Sequence, residues 1–346
     1  MRAARIVRTM SHVFNRRVFL STTTMLTLGC ASSPADRASH TWEREMTDSI
    51  DVAIVGGGPA GLAAALTLGR ARKRAVLFDA GPRRNARAHA IHNFVTRDGT
   101  PPDVFRSEAR AQLAQYPTIR CENERVASIA GTENAFVVES DSGKVRARRV
   151  LLATGMRDAP LALDGADALW GHAIFQCPFC HGFEHVGVPW GLLAREKRSV
   201  DFALMLTGWT RDITFFTNGS PLDDDGRARL AKAQIVVEER AMARLIGDGE
   251  KLRAIRFVDG SERACGALFA HPQQSQVPLV DALGLEIDAN GFVETDPMRK
   301  ETSVKGIFAA GDLASGMHSA IAGAAAGTHA AAMIVHDLNT HDALAG

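Results

Sequence analysis

Ile50-Asp51-Val52-Ala53-Ile54-Val55-Gly56-Gly57-Gly58-Pro59-Ala60-Gly61 decides the fold of this chain. The first six residues are a short β-branched run, which reads as a buried parallel strand. The glycines form G-x-G-x-x-G, an Ala/Leu-rich helix follows over residues 62–70, and Ala75-Val76-Leu77-Phe78-Asp79 reads as a second strand ending in an acid. That order, with the acid about 20 residues beyond the glycines, is the signature of a dinucleotide-binding βαβ unit. Gly56 permits the tight turn, Gly58 lets the backbone approach a pyrophosphate, and Gly61 lets helix and strand pack closely. Pro59 and Ala60 complete the phosphate-binding turn, and the helix N-terminus adds partial positive charge. Asp79 is placed to accept hydrogen bonds from a ribose.

Downstream, Gly81-Pro82-Arg83-Arg84-Asn85 and His89-Ala90-Ile91-His92-Asn93-Phe94 predict a loop crossing the face of the bound nucleotide. Pro101-Pro102-Asp103 opens a helix reaching to about residue 115. Residues 118–152 read as three strands, with turns at Gly131-Thr132-Glu133-Asn134 and Asp141-Ser142-Gly143-Lys144. Val150-Leu151-Leu152-Ala153-Thr154-Gly155 returns the chain to the sheet, and Cys121, with no close partner, reads as an inert structural cysteine.

Residues 187–271 repeat this plan, with a strand at 188–194, a helix at 200–209, a strand at 212–217 and a three-stranded excursion over 235–270. The copies differ at the phosphate turn. Arg195-Glu196-Lys197-Arg198-Ser199-Val200 stands where the first copy has its glycines, and Thr217 stands where it has Asp79. Arg195, Lys197 and Arg198 can attract phosphate by charge, but read more simply as a solvated basic loop. The chain closes with a strand ending Ala309-Ala310-Gly311-Asp312 and an Ala/Gly-rich helix over residues 318–339, whose small residues imply close packing.

Composition narrows the functional classes. The chain has 346 residues, 46% hydrophobic and 23% charged, with a net charge of +1. This is globular material with no electrostatic reason to bind nucleic acid. Of the five cysteines only Cys177 and Cys180 lie close in sequence, so the chain is not a disulfide-stapled scaffold. No apolar run reaches the ~18 residues of a membrane span. Residues 1–45 are read as a leader and linker. Asn15-Arg16-Arg17-Val18-Phe19-Leu20 resembles a twin-arginine export signal, and a short apolar run ends at Gly29-Cys30. Gly29-Cys30 resembles a lipoprotein processing site, although Thr27 occupies a position where such sites usually carry Leu. The expectation is a periplasmic or envelope protein, with a lipid anchor at Cys30 as the sole membrane attachment. The alternative is a cytoplasmic protein starting at Met46.

Gln176-Cys177-Pro178-Phe179-Cys180-His181-Gly182 carries the chemistry. A C-x-x-C pair can open and close a small disulfide ring and can lower a thiol pKa into the range ~3.5–7.5. The same residues allow half a zinc site or, with His181, a C-x-x-C-H haem attachment. A zinc module would need two further ligands, and Cys265 and His271 are not in a finger-like arrangement, so no metal site is expected.

From residue 48 to about residue 339 the chain resembles low-molecular-weight thioredoxin reductases. More closely, it resembles their C-P-x-C-H-G relatives, thioredoxin-reductase-like FAD-dependent oxidoreductases that include dithiol oxidases. The matching residues are Gly56 to Gly61, Asp79, Ala153-Thr154-Gly155, Cys177 to Gly182 and Gly306 to Asp312. The resemblance implies an α/β fold of two Rossmann-like domains of the three-layer ββα type. An FAD domain (46–163 and 272–346) is interrupted by a disulfide-bearing, NAD(P)-binding-like domain (164–271).

It also implies FAD held by Gly56, Gly58, Pro59, Ala60, Gly61, Asp79, Ala153, Thr154, Gly155, Gly311 and Asp312. The last helix would point its N-terminus near His318 at the flavin. In the loop after the second strand, His92 and Asn93 read either as flavin-facing polar groups or as residues that satisfy loop backbone. By the same analogy Cys180 is the sulfur nearest the flavin and Cys177 exchanges with substrate. Thioredoxin reductases typically carry Asp where this chain has His181; an imidazole of ordinary pKa, about 6.5, is a reasonable proton shuttle for thiol exchange, and the alternative is that His181 only orders the turn. Glu184 and His185 are weaker candidates and are expected at the surface. The implied partner is a small dithiol or a thioredoxin-like protein, and the implied assembly is a homodimer. NAD(P)H is the uncertain part, because the second glycine turn is missing. The expected activity is FAD-dependent thiol–disulfide oxidoreduction, as in NAD(P)H-dependent disulfide reductases. The alternatives are an oxygen-dependent dithiol oxidase, a non-enzymatic flavin-binding protein and, more remotely, a c-type haem electron carrier.

Overall fold

The strands at the centre of the molecule are apolar on both faces, and that dictates three layers. In β1 (Ile50–Val55) and β2 (Ala75–Phe78), residues Val52, Ile54, Ala75 and Leu77 face one core, while Ala53, Val55, Val76 and Phe78 face another. A strand buried on both sides reads as a hydrophobic run, as residues 52–55 and 75–78 do here. The structure is a computed structural model and describes residues 49–195 and 198–345. The leader, Cys30, Met46 and, in the second phosphate turn, Glu196 and Lys197 lie outside the described residues. Among the described residues no helix is long and apolar enough to cross a membrane.

The first half runs β1, α1 (Pro59–Arg70), β2, α2 (Pro102–Leu113), β3 (Ile119–Glu122), β4 (Val126–Ala130), β5 (Phe136–Ser140) and β6 (Gly143–Leu152). The strand order β3-β2-β1-β6-β5-β4 joins a parallel sheet to an antiparallel one, and β6 belongs to both. Its early residues pair antiparallel with β5, and its later ones run parallel to β1. Residues 118–152 therefore hold four strands where three were expected. The additional strand, β3, joins the parallel sheet beside β2, and a short run of intermediate burial carries no alternation that marks it in sequence.

Beyond β7 (Arg157–Asp158) and α3 (Ala166–Leu169), a second set is built in the same way. It contains β8 (Ile174–Phe175), α4 (Pro178–His181), β9 (Trp190–Leu193), α5 (Arg198–Leu206), β10 (Ile213–Phe216), α6 (Asp224–Lys232), β11 (Val236–Glu238), β12 (Met242–Asp248), β13 (Lys251–Phe257), β14 (Glu262–Ala264) and β15 (Ala267–Ala270). Its parallel sheet has the order β11-β10-β9-β15-β8, and β12-β13-β14 form the antiparallel layer. Residues 235–270 thus hold five strands rather than three. The outer two, β11 and β15, belong to the parallel sheet. Helix α6 was not expected from the sequence. Asp223 caps it by accepting from the Gly226 N–H at 2.9 Å.

The chain returns through β16 (Gln274–Ser275), which pairs antiparallel with β7, so both crossings between the two sets run side by side. After α7 (Pro278–Asp281), strand β17 (Ile307–Ala309) inserts beside β6 in the first sheet. The first unit is therefore discontinuous, with the second Rossmann-like unit inserted. The final helix, α8 (Ala320–Ala345), is longer than the sequence predicts and packs on α1. A Cβ on Gly327 would lie 1.9 Å from the Ala60 carbonyl oxygen, so only glycine allows this approach. The same contact fixes the start of α1, where the phosphate turn lies.

One buried charge cluster ties α8 to the sheet. Arg149, fully buried on β6, pairs with Asp337 at 2.6 Å and Glu133 at 2.8 Å, and donates to Asn134 Oδ1 at 2.7 Å. Removing one partner from such a cluster costs about 3–5 kcal/mol, because the remaining charge is buried alone.

Candidate functional site

The expected dinucleotide turn has the geometry its glycines require. Gly56 has φ +118°, and a Cβ there would lie 2.2 Å from the Ala153 carbonyl oxygen. A Cβ on Gly57 would lie 2.0 Å from the Asp79 carboxylate, and one on Gly61 would lie 1.9 Å from the Gly56 carbonyl oxygen. Gly58, by contrast, faces open space at the N-terminus of α1, where no side chain caps the helix. A bare backbone turn with unclaimed N–H groups and an empty front is what a pyrophosphate occupies. Gly311 sits against Ala60, so the structure brings Ala153, Thr154, Asp79 and Gly311 to one crevice around the turn.

Two polar atoms in this crevice are placed to bond a cofactor. Thr154 Oγ1 and His318 Nε2 are buried without a hydrogen-bond partner. The His318 proton can be assigned by chemistry. Arg84 donates to His318 Nδ1 at 2.8 Å, and a guanidinium is always a donor, so Nδ1 accepts and the neutral ring carries its proton on Nε2. Burial lowers the His318 pKa, with Asp312 opposing and Arg84 reinforcing the effect, which favours that neutral ring. An orphaned buried donor is costly, and a cofactor oxygen would satisfy it. Asp79 is buried and held by Arg106 at 2.5 and 2.9 Å and by the Gly81 N–H at 2.9 Å, so its carboxylate is oriented by protein donors. Asn93 lies in an exposed turn at φ +58°, its N–H donating to Asp98. Gly155 has φ +67°, and Ser319, one residue beyond His318, accepts from the Ala322 N–H at the start of α8.

The principal group missed from sequence is Arg84. It grips Asp158 through two hydrogen bonds of 2.8 Å, Asp312 at 2.9 Å and Gln176 Oε1 at 3.0 Å. Burial alone would raise the Asp158 carboxyl, but the Arg84 hydrogen bonds and charge outweigh it and hold the pKa low. Gln274 Nε2 donates to the same carboxylate at 2.9 Å. Arg84 thus links the crevice, through Asp312 and His318, to Gln176, the residue preceding Cys177. The sequence marks Arg84 only as one of two adjacent arginines in a loop, and its partners lie up to 234 positions away.

Cys177 and Cys180 form a disulfide across α4, with Cα atoms 5.3 Å apart. Cys177 is extended (φ −122°, ψ 115°), Pro178 occupies the first helical position, and the Gly182 N–H closes the turn on the Pro178 carbonyl at 2.7 Å. The two remaining described cysteines are free; burial raises both thiol pKa values, that of Cys265 to about 12, which leaves them inert. Around the disulfide lies an apolar rim. Phe179 is 59% exposed, Phe183 85% and Val186 58%, and Phe179 meets Trp209 edge-on at 5.1 Å. Three large apolar side chains exposed beside one reactive bond suit an apolar contact better than chance surface does.

His181 stacks on Phe175 with ring centroids 4.4 Å apart, and His185 packs on the same ring at 4.7 Å. Burial, with smaller contributions from His92 and His185, pushes the His181 pKa down to about 4. The expectation of an ordinary imidazole is therefore corrected: at neutral pH, with the disulfide closed, His181 is an uncharged base. His185 is half-buried rather than a surface residue, while Glu184 is exposed and lies 3.5 Å from His92. The His181 shift has a stability consequence. Below pH 6.5 the unfolded chain binds a proton that the folded chain refuses, so stability falls as pH falls towards 4, by about 2 kcal/mol at pH 5. His181→Asn should shrink the loss of thermal midpoint between pH 7 and pH 5. An unchanged difference would place the buried, low-pKa imidazole in doubt.

In the second set, backbone hydrogen bonds reproduce those of the first. Ala194 N–H donates to the Phe216 carbonyl at 2.8 Å, as Gly56 does to Phe78, and Thr217 donates to Glu238 as Asp79 does to Glu122, both at 2.9 Å. This aligns Ala194, not Arg195, with Gly56, one residue earlier than the sequence repeat suggests. No glycine enters the turn in either alignment. Gly61 then matches Ser199, whose hydroxyl accepts from the Arg195 N–H at 3.1 Å.

Comparison with known proteins follows this geometry. The family model described as pyridine nucleotide-disulphide oxidoreductase matches residues 50–200 and 219–327. A protein of Leptosphaeria maculans named thioredoxin reductase sirT is 36% identical over 76% of this chain and 86% of its own length. Thioredoxin reductase tcpT of Claviceps purpurea is 33% identical over 84% of this chain and 96% of its own. The crystal structure of an oxidoreductase from Agrobacterium tumefaciens superposes with a TM-score of 0.79 at 38% identity, covering 84% of this chain and 99% of that one.

Proposed function

Because the chain belongs to the pyridine nucleotide-disulphide oxidoreductase family, we propose that Cys177 and Cys180 are the groups through which it carries out its reaction. It is an FAD-dependent oxidoreductase acting on disulfides, and NAD(P)H is the usual partner of such enzymes. Bound FAD supplies a two-electron store beside the disulfide. The observation that carries the site assignment is the Arg84 bridge. It joins Asp312 and His318, at the glycine-turn crevice, to Gln176 at the base of the Cys177–Cys180 pair.

Read in the direction of dithiol oxidation, a substrate thiolate attacks Cys177 Sγ. The Cys177–Cys180 bond breaks, a mixed disulfide forms at Cys177, and Cys180 leaves as thiolate. The second substrate thiol then displaces Cys177, so the product disulfide departs and two electrons stay on the pair; the reductase direction reverses each step. Neutral His181 accepts the proton that the attacking thiol releases. Opening the disulfide creates a thiolate next to it in sequence, and that negative charge favours the imidazolium, so proton uptake and bond opening support each other. Exposed Phe179, Phe183 and Val186 suit a thioredoxin-like protein or a small apolar dithiol. Residues 46–163 with 272–346 then hold FAD, and residues 164–271 carry the disulfide.

The reductase direction is the primary reading, since the relatives are named thioredoxin reductases and the second sheet keeps the nucleotide-binding topology. Mixing the oxidised enzyme anaerobically with NADPH or NADH should bleach the visible band of its flavin. If a dithiol bleaches it and neither nicotinamide does, the chain runs as an oxidase with oxygen as acceptor. The absence of glycine from the turn spanning Ala194 to Ser199 favours that second reading.

A further inference from the structure

A second cluster of chemically competent side chains lies apart from the Arg84 bridge and the disulfide. His89 sits in the loop after β2, His172 in the turn between α3 and β8, and Glu250 at the tip of the β12–β13 hairpin. His89 Nε2 lies 3.1 Å from His172 Nδ1 and 3.0 Å from Glu250 Oε2, and His172 Nδ1 lies 3.7 Å from Glu250 Oε1. All three groups offer a donor atom to one small volume, and each pair lies within 4.8 Å.

Two physical arguments point to a cation. The first is proton supply. When both rings are neutral and His89 carries its proton on Nε2, that single N–H must serve two acceptors, His172 Nδ1 and the Glu250 carboxylate. A divalent ion at the centre, with the His89 proton moved to Nδ1, would meet one lone pair from each of the three groups. The second is size. Zinc bonds of 2.0–2.1 Å in a tetrahedron set neighbouring donors about 3.3 Å apart; His89 Nε2 lies 3.1 Å from His172 Nδ1 and 3.0 Å from Glu250 Oε2, near that value, and one donor atom from each of the three residues falls within 4.8 Å of the others.

The cluster is also braced from outside. Gly171 (φ +81°) packs on Arg87, where a Cβ would be 2.9 Å from the Arg87 Cβ, and Arg87 pairs with Asp167 at 2.9 Å. The Gly171 N–H donates to the Ile174 carbonyl and the His172 N–H to the Leu169 carbonyl, both at 3.1 Å, so the turn presenting His172 is held by its own backbone.

We propose that His89, His172 and Glu250 form a binding site for a borderline divalent cation of the zinc type, with a fourth position left to water. Two imidazoles and one carboxylate favour zinc over magnesium or calcium, which prefer oxygen ligands alone. The ion would tie the loop after β2 to the β12–β13 hairpin and to the turn that leads through β8 into Cys177. The ligands are separated by 83 and 161 residues, and no spacing rule in the sequence connects them.

The test uses tag-free, FAD-loaded enzyme, freed of metal by chelator and oxidised so that the Cys177–Cys180 thiols are not available. Calorimetric titration with Zn²⁺ should show one ion per chain, whereas Mg²⁺ should give no binding. His89→Ala, His172→Ala and Glu250→Gln should each weaken zinc binding by about tenfold or more, as expected for loss of one ligand in three. Saturating zinc should raise the thermal midpoint of the wild type and not of the variants. The flavin spectrum and turnover of each variant, measured without zinc, should match the wild type and establish that it is folded. Absence of stoichiometric zinc binding to the wild type, or wild-type affinity in all three folded variants, would overturn the proposal.

Discussion

Cys177→Ser is expected to abolish turnover with dithiol or disulfide substrates, by at least about a thousandfold, while the bound flavin keeps its visible spectrum. The two halves of that expectation have different causes. A serine hydroxyl cannot form a disulfide, so no bond remains for a substrate thiolate to attack, and there is no lesser version of the step to fall back on. The crevice proposed to hold the flavin, however, is lined by Gly56 to Gly61, Asp79, Thr154 and the Arg84 cluster, and none of these needs the Cys177 sulfur. Thiol and hydroxyl differ little in volume, and Cys177 is only partly buried, so the extended backbone entering α4 should survive. Steady-state assays at matched flavin content measure the effect. Retention of more than about a tenth of wild-type turnover would show that electrons reach the substrate without Cys177.

Gly61→Val is the second large effect, and it falls on cofactor loading. Any Cβ at residue 61 would lie 1.9 Å from the Gly56 carbonyl oxygen and 3.2 Å from Leu77 Cδ1. Both are contacts of helix α1 with the sheet, so the helix must move away from β1. A β-branched residue adds two further carbons on that side and lowers helix propensity as well. Overpacking of this kind costs about 1–3 kcal/mol where neighbours can give way, and here the closest neighbour is backbone. The displaced element is the one whose N-terminus is proposed to hold the pyrophosphate. Flavin occupancy of the purified variant, read from the ratio of visible to protein absorbance, should fall below about a tenth. A fully loaded, yellow protein would mean that the turn does not hold the phosphates.

The parts of the fold legible in sequence were those fixed by local steric need. Gly56, Gly57 and Gly61 declare themselves because neither the turn nor the helix–strand approach admits a side chain, and the structure gives the clash at each; Gly58 instead faces open space. The burial on both faces of β2, β17, most of β1 and the end of β6 was equally visible, as the apolar runs Val52 to Val55, Ala75 to Phe78, Val150 to Leu152 and Ile307 to Ala309. Strands β3 and β11 were not separated from their neighbours, because a short edge strand of three or four residues carries little pattern. Helix α6 was missed for a related reason: only Gly226 and Leu230 are buried along it, so it shows almost no apolar face.

The site was legible where a motif carried it and opaque where geometry did. Cys177, Cys180, Asp79 and Asp312 stand in short signatures. Arg84 has no signature, because its role follows from Asp158, Asp312, Gln176 and His318 meeting around one guanidinium. The charge state of His181 was misjudged for the same reason. Its pKa depends on the Phe175 ring beneath it and on its burial, and sequence spacing reports neither.

The central claim is that two electrons pass between substrate and flavin through the Cys177–Cys180 bond. Rapid mixing of oxidised enzyme with a dithiol, without oxygen, tests it most directly when wild type and Cys180→Ser are followed side by side at the flavin's visible band. The wild type should bleach with two electrons per flavin, and Cys180→Ser, which retains the Cys177 thiol but has no bond to open, should stay oxidised on the same timescale. Bleaching of Cys180→Ser at the wild-type rate would contradict the account.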